Sequence, residues 1–112
     1  MNQTEVNVYF PDVGYAVRKK REELGYVGSK LSILYEQLSE RLTIRPSTVG
    51  GRIKQIDKGY VYGSGSVIGA QENGDKHLRI LSAYLAFLDF DPQDPIIQKI
   101  MNADNRFVYP PQ

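Results

Sequence analysis

At 112 residues, with 41% apolar content and a formal net charge of +1, the chain suits a single domain with enough apolar surface for a modest core. It has no cysteine and one histidine, His77, so Cys/His metal cages, thiol nucleophiles and histidine-based triads are excluded by inventory, and no metal, cofactor or catalytic site is expected. No apolar run approaches transmembrane length and the first residues lack the charged-then-apolar form of a signal peptide, so the expectation is a soluble cytoplasmic protein with no membrane partner.

Charge is unevenly placed along the chain. Residues 16–60 hold ten Lys/Arg against five Asp/Glu, a local excess of +5, while residues 1–15 and 61–112 each sum to −2. Polyanion binding needs a local patch, because affinity follows the phosphates neutralised at the interface.

Residues 1–12 read as an N-terminal arm, with Val8-Tyr9-Phe10-Pro11 as an anchoring segment. Val13, Ala16, Val17 and Leu24 then recur at helical spacing around the basic run Arg18-Lys19-Lys20-Arg21. The four cations fan out around such a helix, and Arg18 and Lys19 can also pair with Glu22 and Glu23. A connection rich in glycine follows at Tyr26–Lys30, and the apolar run Leu31–Leu34 reads either as a short strand or as the start of the next helix.

The most informative stretch is 35–59. Leu38, Leu42 and Ile44, then Val49, Ile53 and Ile56, keep helical spacing on either side of a break at Thr43–Pro46. Ser39, four residues before Thr43, offers a small side chain where the two helices must approach. Pro46 suits a first helical turn, and Asp57-Lys58-Gly59 suits a helix end, with a cation at the negative end of the dipole and a glycine for a left-handed cap. On the second helix the aliphatic positions share one narrow arc. They leave Ser47, Thr48, Gly51, Lys54, Gln55 and Lys58 on the other faces, Arg52 at the border and no carboxylate before Asp57. Gly50-Gly51 inside a helix costs about 1.5–2 kcal/mol against alanine, which calls for a compensating close approach or a bend.

Tyr60–Ile68 alternates β-formers around a glycine-rich tip, and Gly63-Ser64-Gly65 lacks the Lys-Ser/Thr of a phosphate-binding loop. Gln71–Asp75 reads as a polar turn with Asp75 as the N-cap of a helix. On that helix Leu78, Leu81, Leu85 and Leu88 form one stripe, and Ile80, Tyr84 and Phe87 form a second. The second stripe is either buried in the same domain or pairs with another copy, and a homodimer through Ile80, Tyr84 and Phe87 is the expectation adopted. Asp94-Pro95 opens a short last helix, and residues 103–112 form a C-terminal tail in which Phe107 and Tyr109 are candidate docking groups, on a partner subunit among other places. The folded domain thus spans 13–102.

The central segment resembles the helix-turn-helix of bacterial and phage transcription regulators in two ways. Leu38–Val49 with Ile53, Ile56 and Gly59-Tyr60-Val61 looks like the winged-helix pattern, with 60–68 as the wing. Gly14–Gly25 and Leu81–Pro92 are similar to the first and closing helices of the compact phage-repressor-like (Cro/CI type) domain. The chain departs from the latter at Tyr35, where glutamine is usual, at Thr43, where glycine is usual, and in its later helix ending at Ile56–Gly59.

Either resemblance implies a mainly α fold, a compact helix-turn-helix domain of four to five helices, with a β-hairpin wing or a helical connection at 60–68. Its implied partner is double-stranded DNA, entered through the major groove by the 46–58 helix, for transcription regulation, with repression as the expected output and the nucleoid as the location when bound. Ser47, Thr48, Arg52 and Gln55 are then expected to read bases, with Gly51 permitting close approach. Arg18, Arg45, Lys54 and Lys58 are expected to hold phosphates, and Ser64 and Ser66 to touch the DNA backbone from the hairpin tip. The alternative reading is a protein-interaction adaptor working through the Leu/Ile/Tyr/Phe helix.

Overall fold

Prolines at helix starts and left-handed residues at helix ends divide this chain into its elements. A computed structural model describes residues 7–63 and 70–111. Within them lie helices α1 (Pro11–Glu23), α2 (Leu31–Leu42), α3 (Pro46–Asp57), α4 (Ala70–Phe87) and α5 (Pro95–Ala103), a 3-10 turn at Gly28–Lys30, and strands β1 (Asn7–Tyr9) and β2 (Tyr60–Gly63). The domain is mainly helical, as its periodicities predict.

Three helices open on proline, whose fixed φ fits the first turn and whose missing N–H would have no partner there. At α5 the cap is complete, because the Asp94 carboxylate accepts from the Ile96 N–H at 3.0 Å. α1 closes on Gly25, at φ +89°, with the Tyr26 N–H turned back to the Arg21 carbonyl. Asp89, at φ +64°, does the same for α4, where the Phe90 N–H returns to Leu85.

α2 and α3 are joined by Thr43-Ile44-Arg45. Thr43 sits in the left-handed region at φ 57°, ψ 47°, and its N–H and that of Ile44 both return to the Ser39 carbonyl. The Ser39 hydroxyl donates to the Ile44 carbonyl, so the small residue at this position stitches the turn as well as clearing space. A β-branched residue in this conformation is strained by roughly 1–2 kcal/mol. Thr43→Asn is therefore expected to stabilise the domain by about 1 kcal/mol, read as a higher urea midpoint with an unchanged slope.

α4 runs through the middle of the core. Ile80, Leu81, Tyr84, Leu85 and Leu88 are all fully buried. They meet Val13 and Val17 of α1, Leu34 and Leu38 of α2, and Val49, Ile53 and Ile56 of α3 in one apolar cluster. The second stripe on α4 is thus covered by its own domain. Ile80 and Tyr84 have no exposed surface, so they cannot form the dimer surface expected of them, while Phe87 is half-buried and packs edge-on against Tyr26 at 5.2 Å.

Of the two readings of the apolar run Leu31–Leu34, the helical one is found, as the opening of α2. Further expectations are corrected. Residues 71–75 continue α4, which starts at Ala70, before the proposed cap at Asp75. The segment set apart as an arm supplies β1 and the opening of α1. β1 pairs antiparallel with β2, Asn7 opposite Gly63 and Tyr9 opposite Tyr60 with an irregularity between Val8 and Tyr9, so Tyr60–Gly63 is a strand whose partner is the N-terminal segment. The proposed hairpin tip with Ser64 and Ser66 lies outside the described residues. The tail docks on its own chain: Phe107 is buried, Ser82 Oγ donates to the Val108 carbonyl at 2.6 Å, and Tyr109 Oη donates to the Phe90 carbonyl.

α5 returns to α1, where Lys99 Nζ donates to Asp12 Oδ2 at 2.6 Å; the pair is exposed and screened, so packing of Ile97 and Ile100 is what seats this helix.

Candidate nucleic-acid interface

Two contacts at the end of α3 set how it sits on the domain. The first is steric. Gly14 of α1 lies directly against Gly59: a Cβ built on Gly14 would fall 2.6 Å from the Gly59 nitrogen and 3.0 Å from the Asp57 carbonyl oxygen. The second is polar. Asp57 turns inward, where Oδ2 accepts from Arg21 Nε at 3.2 Å and Nη2 at 3.0 Å, and Oδ1 accepts from Tyr84 Oη at 2.9 Å. Arg21 also donates from Nη1 to the Tyr26 carbonyl at 2.6 Å. Burial pushes the Asp57 carboxyl upward in pKa, against the pull of the Tyr84 hydroxyl and the Arg21 guanidinium. Burial, followed by the Asp57 charge, drives the Tyr84 phenol far upward, so it remains a neutral donor.

This network removes the one carboxylate of α3 from its outer face. What remains outside is a stripe of Ser47, Gly51, Lys54, Gln55 and Lys58, all exposed, at spacings that repeat every three to four residues. Thr48 is half-buried at its edge. Over 11 steps of about 1.5 Å the stripe runs roughly 16 Å, comparable with the breadth of a DNA major groove at ~12 Å. Arg45 is exposed at the start of α3, and Arg18 reaches the other end from α1, donating from Nη1 to the Asp57 carbonyl at 3.3 Å. The sequence-derived set Ser47, Gly51, Lys54, Gln55, Lys58, Arg45 and Arg18 is therefore gathered on or beside one helix face.

Arg52 does not belong to that set. Its Nη2 donates to the carbonyls of Val61 at 3.0 Å and Tyr60 at 3.3 Å, and its Nε is buried without a partner among the described residues. It straps α3 to β2, so its guanidinium is engaged with the strand and stands apart from the exposed stripe. Burial lowers its pKa, yet a guanidinium stays charged at any ordinary pH.

The two interior glycines separate cleanly. A Cβ on Gly50 would meet the Tyr35 ring at 3.0–3.1 Å, so this glycine makes room for an aromatic of α2. A Cβ on Gly51 would meet nothing within 4 Å. Nothing inside the described domain requires glycine at position 51.

Tyr15 was missed by the sequence reading. It is exposed on α1, with Arg18 and Lys19 at 5.8 and 6.0 Å from its ring, and so extends the basic surface beside the end of α3 with an aromatic face. Its spacing of three and four residues from those two cations was the available signal.

Neither a family model, a curated protein nor a solved structure matches the chain. Among the described residues there is no cluster able to hold a metal ion, and no helix is long and apolar enough to cross a membrane.

Proposed function

We propose that this protein is a sequence-specific double-stranded DNA-binding transcription regulator that inserts α3 into the major groove, acting in the cytoplasm and on the nucleoid when bound. The observation that carries the reading is the exposed, carboxylate-free stripe of α3, with its single acid drawn inside by Arg21 and Tyr84. Gln55 and Ser47, with Thr48 at the edge, are the base-reading candidates, since an amide can address adenine and a hydroxyl suits either partner type. Lys54, Lys58, Arg45 and Arg18 are the phosphate contacts, and the bare Cα of Gly51 allows the backbone to approach a groove wall. Repression as the output, and two copies on a palindromic site, remain part of the proposal; the pairing surface must lie elsewhere than the buried Ile80 and Tyr84. The adaptor alternative loses the surface it relied on, because the same α4 face is internal.

The test is gel retardation on random and on selected duplexes at two salt concentrations. Lys54→Ala is expected to weaken binding to all sequences alike and to reduce the slope of log affinity against log salt by about 1. Gln55→Ala is expected to flatten the preference at one base position by about 1–3 kcal/mol. Absence of retardation by the wild-type chain at low salt would refute the proposal. Gly51→Ala splits the two roles of that residue: stability is expected to rise by about 0.5–1 kcal/mol, since the added methyl meets open space in a helix, while duplex affinity falls.

A further inference from the structure

A cleft of about 400 Å³ opens where the end of α2, the middle of α4 and the C-terminal segment meet. Its apolar wall comes from Leu42, Leu78, Ala83 and Val108, and its polar wall from three arginines, Arg41, Arg79 and Arg106. Among the described residues that line it, none is acidic. The size falls in the usual range for small-molecule sites, and the composition, apolar with a few convergent polar groups, is the usual one as well.

The three guanidiniums are differently engaged. Arg106 is paired with Asp104 at 2.7 Å. Arg79 donates from Nη2 to the Leu42 carbonyl at 3.1 Å, which ties its side chain to the rim of the cleft and leaves its remaining N–H groups without an acceptor among the described residues. Arg41 makes no hydrogen bond or ion pair among the described residues, and it is exposed. Two cations with unspent donors thus stand at the rim of an apolar hollow. A planar carboxylate satisfies guanidinium donors in pairs, and a hydrocarbon or aromatic body gains by covering the aliphatic wall.

We infer that this cleft is a binding site for a small monocarboxylic acid with an apolar body, held by Arg41 and Arg79 at its carboxylate and by Leu42, Leu78 and Val108 along its body. The site is separate from the outer face of α3 and stands whatever that face binds. A phosphate-bearing polymer is a poorer fit, because the hollow is apolar and bounded on one side by Val108 and Pro111 of the docked C-terminal segment.

The experiment is a titration of the full chain, without DNA, followed by amide nitrogen–proton correlation spectra, with benzoate and hexanoate as probes and benzamide as the neutral isostere of benzoate. Saturable shifts confined to the amides around Leu42, Leu78, Arg79 and Val108 are expected with at least one acid. Binding is expected to weaken about tenfold or more with benzamide and about tenfold or more in Arg41→Gln, the loss of one charge-assisted contact. Arg41 is exposed and holds nothing else, so this variant should keep the wild-type spectrum when unliganded. The inference is overturned if neither acid saturates below about 10 mM, if benzamide matches benzoate, or if Arg41→Gln binds the acid as the wild type does.

Discussion

Asp57→Ala is expected to destabilise the domain by about 3–5 kcal/mol, because it leaves the Arg21 guanidinium buried without its counter-charge. In a chain of 112 residues that corresponds to a fall in melting temperature of roughly 12–20 °C. The two side chains are only 9% and 14% exposed, so water cannot take over the lost contacts without opening the packing between α1 and α3. The intact pair is a different matter. Desolvation of both charges offsets much of their attraction, which is why burial pushes the Asp57 carboxyl upward despite its donors. Removing both charges should therefore cost less than removing one: Arg21→Met combined with Asp57→Leu is expected to be more stable than Asp57→Ala alone. Tyr84→Phe removes only a neutral donor from Oδ1 and is expected to cost about 1–2 kcal/mol. Urea unfolding of the three variants gives the comparison directly. A loss below about 1 kcal/mol in Asp57→Ala would show that this triad does not fix α3 against α1 and α4.

The same triad shows where the sequence was readable and where it was not. α3 was legible because local chemistry marks both ends, Pro46 and Asp57-Lys58-Gly59, and because Val49, Ile53 and Ile56 trace one arc. The outward set followed from that arc alone, so Ser47, Lys54, Gln55 and Lys58 fell on the exposed face. Arg52, at the border, could not be placed by periodicity, since its fate depends on carbonyls of β2 that come to it only through the fold. Tyr84 was misplaced for a related reason. A stripe of Ile, Tyr and Phe looks like an interface when its cover is unknown, and the clue was the hydroxyl itself, which a buried tyrosine must satisfy, here with Asp57, 27 residues away. The start of α4 was hidden by Asn73, Gly74 and Asp75, which favour turns when isolated but continue a helix here. The strand at Tyr60–Gly63 was one of two readings of that segment, and its pairing with Asn7–Tyr9 joins distant segments; no local pattern encodes a partner so far along the chain.

Gly59→Ala and Gly14→Ala are each expected to cost more than about 3 kcal/mol, for reasons that can be separated by a third glycine. Gly59 sits at φ +104°, beyond the left-handed helical region open to other residues, and a Cβ there would lie 2.9 Å from the Pro11 Cα. Gly14 has ordinary helical geometry, but its Cβ would lie 2.6 and 2.8 Å from the Gly59 nitrogen and Cα. Those obstacles are backbone atoms and cannot rotate aside, so α1 must move bodily off the end of α3. Gly25 is the control: it has φ +89° with nothing within 4 Å of its would-be Cβ, so Gly25→Ala bears the conformational strain alone, about 1–2 kcal/mol. The excess of Gly59→Ala over Gly25→Ala then measures the collision, and the Gly14/Gly59 double variant should fall short of the sum of the singles, because both relieve one contact. A Gly14→Ala cost within about 0.5 kcal/mol of zero would mean that α1 is not seated this closely. The seating matters beyond stability. α1 carries Arg18, whose guanidinium reaches the last carbonyl of α3, and a displaced α1 withdraws that cation, with Tyr15 and Lys19 beside it, from the edge of the exposed stripe.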